Sequence, residues 1–186
     1  MKIYLLDKNK NMTEVWKRYF KNEDDVEIAC MDFFTFMYSH DIECVVSPAN
    51  SFGLMDGGYD LAITNYFGDE LMKKVQEYII NYYKGEQPTG TAFIIDIPNT
   101  GKKLIHTPTM RTPREIKDIL VIYYAMKETL RIAKENNIQS IVIPAFGGGC
   151  GMVDYEKIAE MMKYAFVQSN NPPKEIDWEY AWELDI

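Results

Sequence analysis

Four glycines in five positions form the most chemically suggestive stretch of the chain. They follow an apolar run that ends at Pro144, and the stretch consists of Gly147, Gly148, Gly149, Cys150 and Gly151. Glycine tolerates positive φ, so the backbone N–H groups of such a run can converge on one point. Ahead of a helix N-terminus, converging amides form a natural anion site, most often for phosphate. A flexible turn without a ligand is the alternative reading.

The spacing within this loop excludes two familiar phosphate motifs. A Walker A loop requires Lys and then Ser or Thr after its last glycine, and Met152 follows Gly151 here. The dinucleotide fingerprint requires a glycine at the sixth position counted from Gly147, which is again Met152. An anion bound here would therefore be held in another way.

A second glycine-containing loop, residues 47–60, also joins an apolar strand to a helix. Its Asn50 has both a donor and an acceptor and suits a pair of sugar hydroxyls. Its Asp60 either caps the following helix or contributes a carboxylate to chemistry. Two such corners, one per loop, can hold the two phosphates of a diphosphate between them.

The overall charge limits the partners of this chain. The 186 residues include 20 Lys and Arg against 28 Asp and Glu, a formal net charge of −8. This balance argues against a partner held by a broad basic patch, such as duplex DNA, RNA or an anionic membrane.

The three cysteines are widely spaced, without a CxxC pair. We therefore expect reduced cysteines, a cytoplasmic protein, and neither a metal site nor a resident cofactor.

Strands and helices alternate along the chain, with no internal repeat and no linker. The patterns predict one domain over residues 1–186. Predicted strands are residues 2–7, 26–30, 44–47, 91–97, 103–107 and 140–144, with an edge strand at 176–182. Predicted helices are residues 12–20, 33–38, 60–67, 69–83, 114–136 and 154–168, the last one N-capped by Asp154. This alternation favours a mixed, mostly parallel sheet covered on both faces. Ligands bind beyond the C-terminal strand ends of such sheets, where both glycine loops fall.

Several of these segments together resemble the macro domain family. The first loop is similar to the family signature, in which a strand leads into Asn-Ala-Ala-Asn, then glycines, an aliphatic residue and Asp. The pair Asp32-Phe33 resembles the family's Asp-aliphatic adenine clamp, and residues 104–107 resemble a strand ending in His. The second loop is similar to the pattern Pro-x-Ile-Gly-x-Gly-Leu, followed by a helix that opens with Asp or Gln and an aromatic residue. The matches keep family order and spacing over roughly residues 26–168.

This resemblance implies a three-layer α/β/α sandwich with a cleft for ADP-ribose. Asp32 would then accept a hydrogen bond from the adenine amino group, and Phe33 would line the base. Asn50 would bind the distal ribose, around which Gly57, Gly58 and Tyr59 would wrap. The amides of residues 147–151 would surround the diphosphate. In the hydrolytic branch, Asp60 and Asn50 form the catalytic centre, and Asp60 positions or activates the water that attacks the distal ribose C1″.

Three positions depart from the family pattern. Asp56 replaces a glycine, and we expect its side chain to point to solvent. Tyr59 replaces a small aliphatic residue and either narrows the distal ribose pocket or stacks on that sugar. Gly151 stands where some hydrolases carry an Asp that is paired with Lys, so a lysine-assisted mechanism is not carried over.

Two function classes remain open on the sequence. The first is a hydrolase that acts on mono-ADP-ribosylated targets or on O-acyl-ADP-ribose. The second is a non-catalytic module that binds ADP-ribose or a related signal nucleotide, and a phosphatase acting on ADP-ribose-1″-phosphate is a third, weaker alternative. Expected partners are ADP-ribose and ADP-ribosylated protein, without a nucleic-acid groove or a membrane. We further expect His106 in the core, backbone-only use of Cys150, and a solvated Arg111.

Overall fold

The computed structural model describes residues 1–182, in which six strands form one sheet. The strands are β1 (Lys2–Asp7), β2 (Val26–Cys30), β3 (Cys44–Ser47), β4 (Phe93–Asp96), β5 (Lys103–His106) and β6 (Ser140–Pro144). Their order across the sheet is β2-β1-β6-β3-β5-β4. All neighbouring strands run parallel except β4, which pairs antiparallel with β5 at one edge. The ends of β1, β2, β3 and β6 therefore meet along the same edge.

Seven helices within the described residues accompany this sheet. They are α1 (Lys10–Tyr19), α2 (Phe33–Ser39), α3 (Gly58–Phe67), α4 (Asp69–Tyr83), α5 (Leu120–Glu135), α6 (Tyr155–Asn170) and α7 (Trp178–Trp182). Alternating residues of each strand point to opposite faces of the sheet. Leu5 and Ile143 join one apolar cluster, to which α1, α5 and α6 contribute. Leu6 and Val142 join the other, to which α2, α3 and α4 contribute. The predicted three-layer α/β/α fold is confirmed.

The long helix begins later than its hydrophobic periodicity predicts. The sequence places its start at Arg114, whereas α5 begins at Leu120. The intervening segment runs past the second glycine loop, where the Ile116 N–H donates to the Gly151 carbonyl over 2.9 Å. Asp118 accepts a hydrogen bond from the Leu120 N–H over 3.0 Å. The periodic apolar residues of this segment therefore support a loop, because tertiary contacts override the helical pattern.

The predicted edge strand at residues 176–182 is wrong. The chain forms the short helix α7 there, and the Asp177 carboxylate accepts from the Tyr180 N–H over 2.9 Å. A carboxylate that satisfies a free N–H of the first turn favours a helix start over a strand. Trp178 and Trp182 remain largely exposed on this helix.

The described residues contain no helix long and apolar enough to cross a membrane. The other predicted boundaries agree with the structure to within a few residues.

Candidate functional site

A cleft of about 690 Å³ lies at the C-terminal ends of β1, β2, β3 and β6. Every site residue predicted from the sequence lines it: Asp32, Phe33, Asn50, Gly57, Gly58, Tyr59, Asp60, Gly147, Gly148, Gly149, Cys150 and Gly151. The volume is typical of pockets that enclose a small organic ligand, about 300–1,000 Å³. The fold thus brings the two glycine loops and the Asp32-Phe33 pair, distant in sequence, to one place.

The Asn50 side chain is engaged by its own loop. Its Nδ2 donates to the Leu54 carbonyl over 2.8 Å, and its Oδ1 accepts from the Phe52 and Leu54 N–H groups over 3.1 and 3.3 Å. Asn50 is buried as well, at 7% exposure. These contacts hold the loop between β3 and α3 in shape, which the ribose-binding prediction for Asn50 did not anticipate.

Asp60 lies in the first turn of α3 without capping it, since Gly57 holds the N-cap position. Its carboxylate points back to the end of β3, where the Ser47 hydroxyl donates to Oδ1 over 2.6 Å. Burial raises the pKa of Asp60 to about 7, and hydrogen bonds from Ser47 and the Ala49 backbone only partly oppose this. A carboxyl poised near neutral pH inside a cleft is suited to general acid–base chemistry.

Tyr59 lines the cleft together with its neighbours Gly58 and Asp60. Its ring packs edge-on against Phe33, with centroids 5.3 Å apart, and so reaches toward the end of β2. The Tyr59 hydroxyl is buried and has no hydrogen-bond partner. Burial raises its pKa, as do the charges of Asp60 and Asp7, so this phenol remains neutral. Tyr59 therefore links the Phe33 side of the cleft to the Asp60 side.

The second glycine loop is fixed by close packing. Gly147 adopts a positive φ of 79°, which glycine tolerates at little cost. A Cβ at Gly151 would lie 2.7 Å from the Gly147 carbonyl oxygen, so only glycine fits there without displacing the backbone. The Asp154 side chain caps α6 as predicted, by accepting from the Glu156 N–H. This loop is thus a close-packed backbone turn ahead of a helix.

Asp32 lines the cleft as predicted and also caps a helix. It is the N-cap of α2, where Oδ1 accepts from the Thr35 N–H over 3.0 Å and Oδ2 accepts from the Thr35 hydroxyl over 2.6 Å. These hydrogen bonds lower the pKa of Asp32 and keep it ionised. Both oxygens retain further lone pairs, and Asp32 lines the cleft.

Sequence reasoning missed five polar residues of the cleft wall, namely Asp7, Lys8, Asn9, Thr109 and Tyr155. Asp7 ends β1, Asn9 caps α1, and the Asn9 Nδ2 donates to the Tyr155 hydroxyl over 2.7 Å. The signal for Asp7 was present, because it directly follows a buried strand whose neighbours in the sheet carry other predicted site residues. Four carboxylates line the cleft, those of Asp7, Asp32, Asp56 and Asp60. Lys8 is the one cation among the lining residues.

The structure also shows the surroundings of His106, Arg111 and Cys150. His106 is fully buried, its Nδ1 lies 2.7 Å from Gln87 Oε1, and burial lowers its pKa to about 3, so it belongs to the core. Arg111 lies outside the cleft and forms a two-pronged ion pair with Glu86 over 2.7 and 3.0 Å. Cys150 is exposed, with its sulfur 3.5 Å from that of Met110. Within residues 1–182, no cluster of His, Cys, Asp and Glu is arranged to hold a metal ion.

Comparison with known proteins places this geometry in context. A protein of Aquifex aeolicus is 31% identical over 66% of this chain and 71% of its own length. A DNA ADP-ribosyl glycohydrolase of Mycobacterium tuberculosis is 27% identical over 69% of this chain, which spans only 36% of that protein. An O-acetyl-ADP-ribose deacetylase of Escherichia fergusonii is 33% identical over 58% of this chain and 61% of its own length.

Solved structures agree with the sequence relatives. The macrodomain of Mycobacterium tuberculosis DarG superimposes with a TM-score of 0.60 and 26% identity, over 69% of this chain and 84% of that one. An Oceanobacillus iheyensis macrodomain with ADP gives a TM-score of 0.60 and 25% identity, over 68% of each chain. The profile described as "Macro domain" matches residues 46–162, which is more than half of the sequence. The chain belongs to the macro domain family.

Proposed function

We propose that the cleft binds ADP-ribose or a close derivative and hydrolyses an ADP-ribosyl linkage. The observation that carries this proposal is the placement of Asp60. Its carboxyl lines the cleft, is oriented by the Ser47 hydroxyl at 2.6 Å, and has a pKa raised to about 7 by burial. The names of two relatives, a DNA ADP-ribosyl glycohydrolase and an O-acetyl-ADP-ribose deacetylase, support the same substrate class.

The diphosphate would be bound by backbone amides. Cleft residues supply four carboxylates and only Lys8 as a cation, so side chains cannot provide the positive potential that an anion requires. The glycine loop at residues 147–151 lies just ahead of α6, and amides in this position carry partial positive charge. An acidic protein can hold a small diphosphate in this way.

Asp60 would act in its ionised form. As a carboxylate, it would orient and deprotonate a water directed at C1″ of the distal ribose, and would stabilise the positive charge that develops on that sugar. The Ser47 hydroxyl and the Ala49 N–H donate to this carboxyl and hold its orientation, and its remaining lone pairs would accept from the water. Because the carboxyl must lose its proton first, turnover should rise as the pH increases through about 7.

A non-catalytic module that binds ADP-ribose is the second candidate, and the hydrogen bonds of Asn50 favour it. The predicted catalytic partner Asn50 uses its side chain for its own loop, in hydrogen bonds of 2.8 to 3.3 Å. Asp60 would then stand alone among the predicted catalytic residues. The same cleft serves both functions, so the fold does not separate them.

The net negative charge of the chain narrows the class of ADP-ribosylated substrate that we propose. We favour ADP-ribosylated protein or O-acyl-ADP-ribose over an ADP-ribosylated nucleic acid, since a net charge of −8 repels a polyanion. A cytoplasmic location and a single domain over residues 1–186 belong to the same proposal, with the exposed free thiols of Cys30 and Cys150 suited to a reducing compartment.

Calorimetry with ADP-ribose, combined with a turnover assay on ADP-ribosylated protein and O-acetyl-ADP-ribose, tests the proposal. Binding together with product release supports the hydrolase. Tight binding without turnover supports the non-catalytic module. No heat of binding at millimolar ADP-ribose would overturn both.

A further inference from the structure

Asp7 lies at a distinctive point of the sheet. It is the last residue of β1, and its register partner is Cys30, two residues before Asp32 on the neighbouring strand. On the other side of β1, Leu6 pairs with Pro144, just before the second glycine loop. Asp7 therefore stands between the end of β2, which carries Asp32 and Phe33, and the end of β6, which carries the glycine loop.

The order of these strand ends parallels the order of groups in a nucleotide. Under the proposed function, the β2 end takes the base and the β6 end takes the phosphates. Neighbouring strands are about 4.8 Å apart, so two steps across the sheet cover roughly the distance from a base to its phosphate. The group between a base and its phosphate is the ribose, and the side chain at the β1 end is Asp7.

The Asp7 carboxylate is free to accept from such a sugar. Its Oδ1 accepts from the Asn9 N–H over 2.7 Å, which fixes the side chain, and Oδ2 accepts from no donor within residues 1–182. Burial raises the pKa of Asp7, so the carboxylate is short of solvent and favours an added donor. Asp7 lines the cleft wall, where a ligand would lie.

We propose that Asp7 accepts hydrogen bonds from the hydroxyls of the base-proximal ribose, and thereby selects ligands whose 2′-hydroxyl is free. A carboxylate at a strand end suits a vicinal hydroxyl pair, and repels a phosphate at the same 2′ position. This inference rests on the proposed function and narrows it to ADP-ribose without a 2′-phosphate. Lys8, beside Asp7 in the cleft wall, is the one residue there that could favour the phosphate.

Titration of the full-length protein with ADP-ribose and with its 2′-phosphorylated form tests the assignment. Wild type should prefer ADP-ribose by about 100-fold, since a charge-assisted hydrogen bond is replaced by like-charge repulsion. Asp7→Asn keeps the acceptor for the Asn9 N–H but removes the charge, and the preference should fall to about tenfold or less. Asp56→Asn, which removes a carboxylate elsewhere in the cleft wall, is the matched control and should keep the wild-type preference.

Each other outcome decides against the assignment. Equal affinity of wild type for both ligands, or tighter binding of the phosphorylated one through Lys8, overturns it even if Asp7→Asn does not fold. An unchanged preference in a folded Asp7→Asn, checked by its thermal unfolding, overturns it as well. If wild type binds neither ligand, the proposed function itself fails, and this result is distinct because ADP-ribose binding is measured in the same titration.

Discussion

The two glycine loops of the cleft are both rich in glycine, but the first makes its distinctive contacts through side chains and the second through its packed backbone. In the first loop, a Cβ at Gly57 or Gly58 would meet open space, and the distinctive contacts are made by side chains such as Ser47 and Asp60. In the second loop, a Cβ at Gly151 would meet the backbone of Gly147 at 2.7 Å. A Cβ at Gly53, earlier in the first loop, would meet side chains, Val75 at 2.7 Å and Ile79 at 2.9 Å, so an added Cβ meets backbone at this distance only in the second loop.

Under the proposed function, this difference assigns binding and chemistry to different corners of the cleft. The second loop presents backbone amides in a fixed geometry, which suits affinity for a diphosphate. The first loop presents a carboxyl with a pKa of about 7, which suits proton transfer. Substitutions in the second loop should therefore reduce affinity, whereas substitutions at Asp60 should reduce turnover.

The largest expected effect is on affinity, from Gly151→Ala. The added Cβ displaces the Gly147 carbonyl and with it the amides that would contact the diphosphate. We expect ADP-ribose to bind about 100-fold more weakly, since two charge-assisted hydrogen bonds are worth roughly that much. Overpacking should also lower stability by about 2 kcal/mol. Calorimetry and thermal unfolding measure the two effects.

Gly149→Ala is the matched control for stability, because a Cβ at Gly149 would meet open space. Its melting temperature should equal that of wild type. Gly151→Ala with wild-type affinity would show that this loop does not hold the ligand, and would remove the contrast between the corners.

The second effect is on stability, from Asp60→Asn. The folded protein raises the pKa of Asp60 from 3.8 to about 7, so it binds a proton more tightly than the unfolded chain does. Asp60 therefore lowers the free energy of unfolding progressively as the pH rises from about 4 to 7. Asn does not titrate, so the variant should gain about 4 kcal/mol relative to wild type at pH 8 compared with pH 4.

Thermal unfolding of both proteins at pH 4 and pH 8 measures this gain, which corresponds to a difference of about 8 °C in melting temperature. The contribution of His106 is common to both proteins and cancels. A stability difference that does not depend on pH would show that Asp60 has an ordinary pKa. The first loop would then not be suited to proton transfer near neutral pH.

The smallest effect concerns Arg111. It pairs with Glu86 outside the cleft, so Arg111→Ala should change ADP-ribose affinity by less than about twofold. Affinity should also depend weakly on salt between 50 and 300 mM, because amides rather than flexible cations bind the diphosphate. A steep salt slope that Arg111→Ala abolishes would assign the anion site to this arginine instead of the second loop.

The sequence predicted much of the fold because its signals were local. Buried strands such as Ser140–Pro144 and the N-cap Asp154 follow from hydrophobic patterning and helix-capping rules that depend on nearby residues. The segment 114–119 was predicted incorrectly because the hydrogen bond from Ile116 to Gly151 joins residues far apart in sequence. Residues 176–182 were predicted as a strand because apolar content alone does not distinguish a short helix from a strand.

The site was predicted to a similar degree. All of its proposed residues line one cleft, because strand-end loops of a parallel sheet converge. Their individual contacts were not predictable. Asn50 turns into its own loop, Asp32 caps α2, and Tyr59 packs on Phe33. Each of these outcomes depends on side-chain rotamers and on packing between helices, which spacing along the chain does not specify.

The catalytic assignment of Asp60 is tested most directly by one pair of measurements on Asp60→Asn and wild type. Single-turnover hydrolysis of ADP-ribosylated protein at pH 8 and ADP-ribose affinity should be measured together, with Asp56→Asn as the matched control. We predict that Asp60→Asn loses at least about 100-fold in rate, while its affinity changes less than about fivefold. An unchanged rate, or a loss of rate that matches a loss of affinity, would contradict the assignment of chemistry to the first corner.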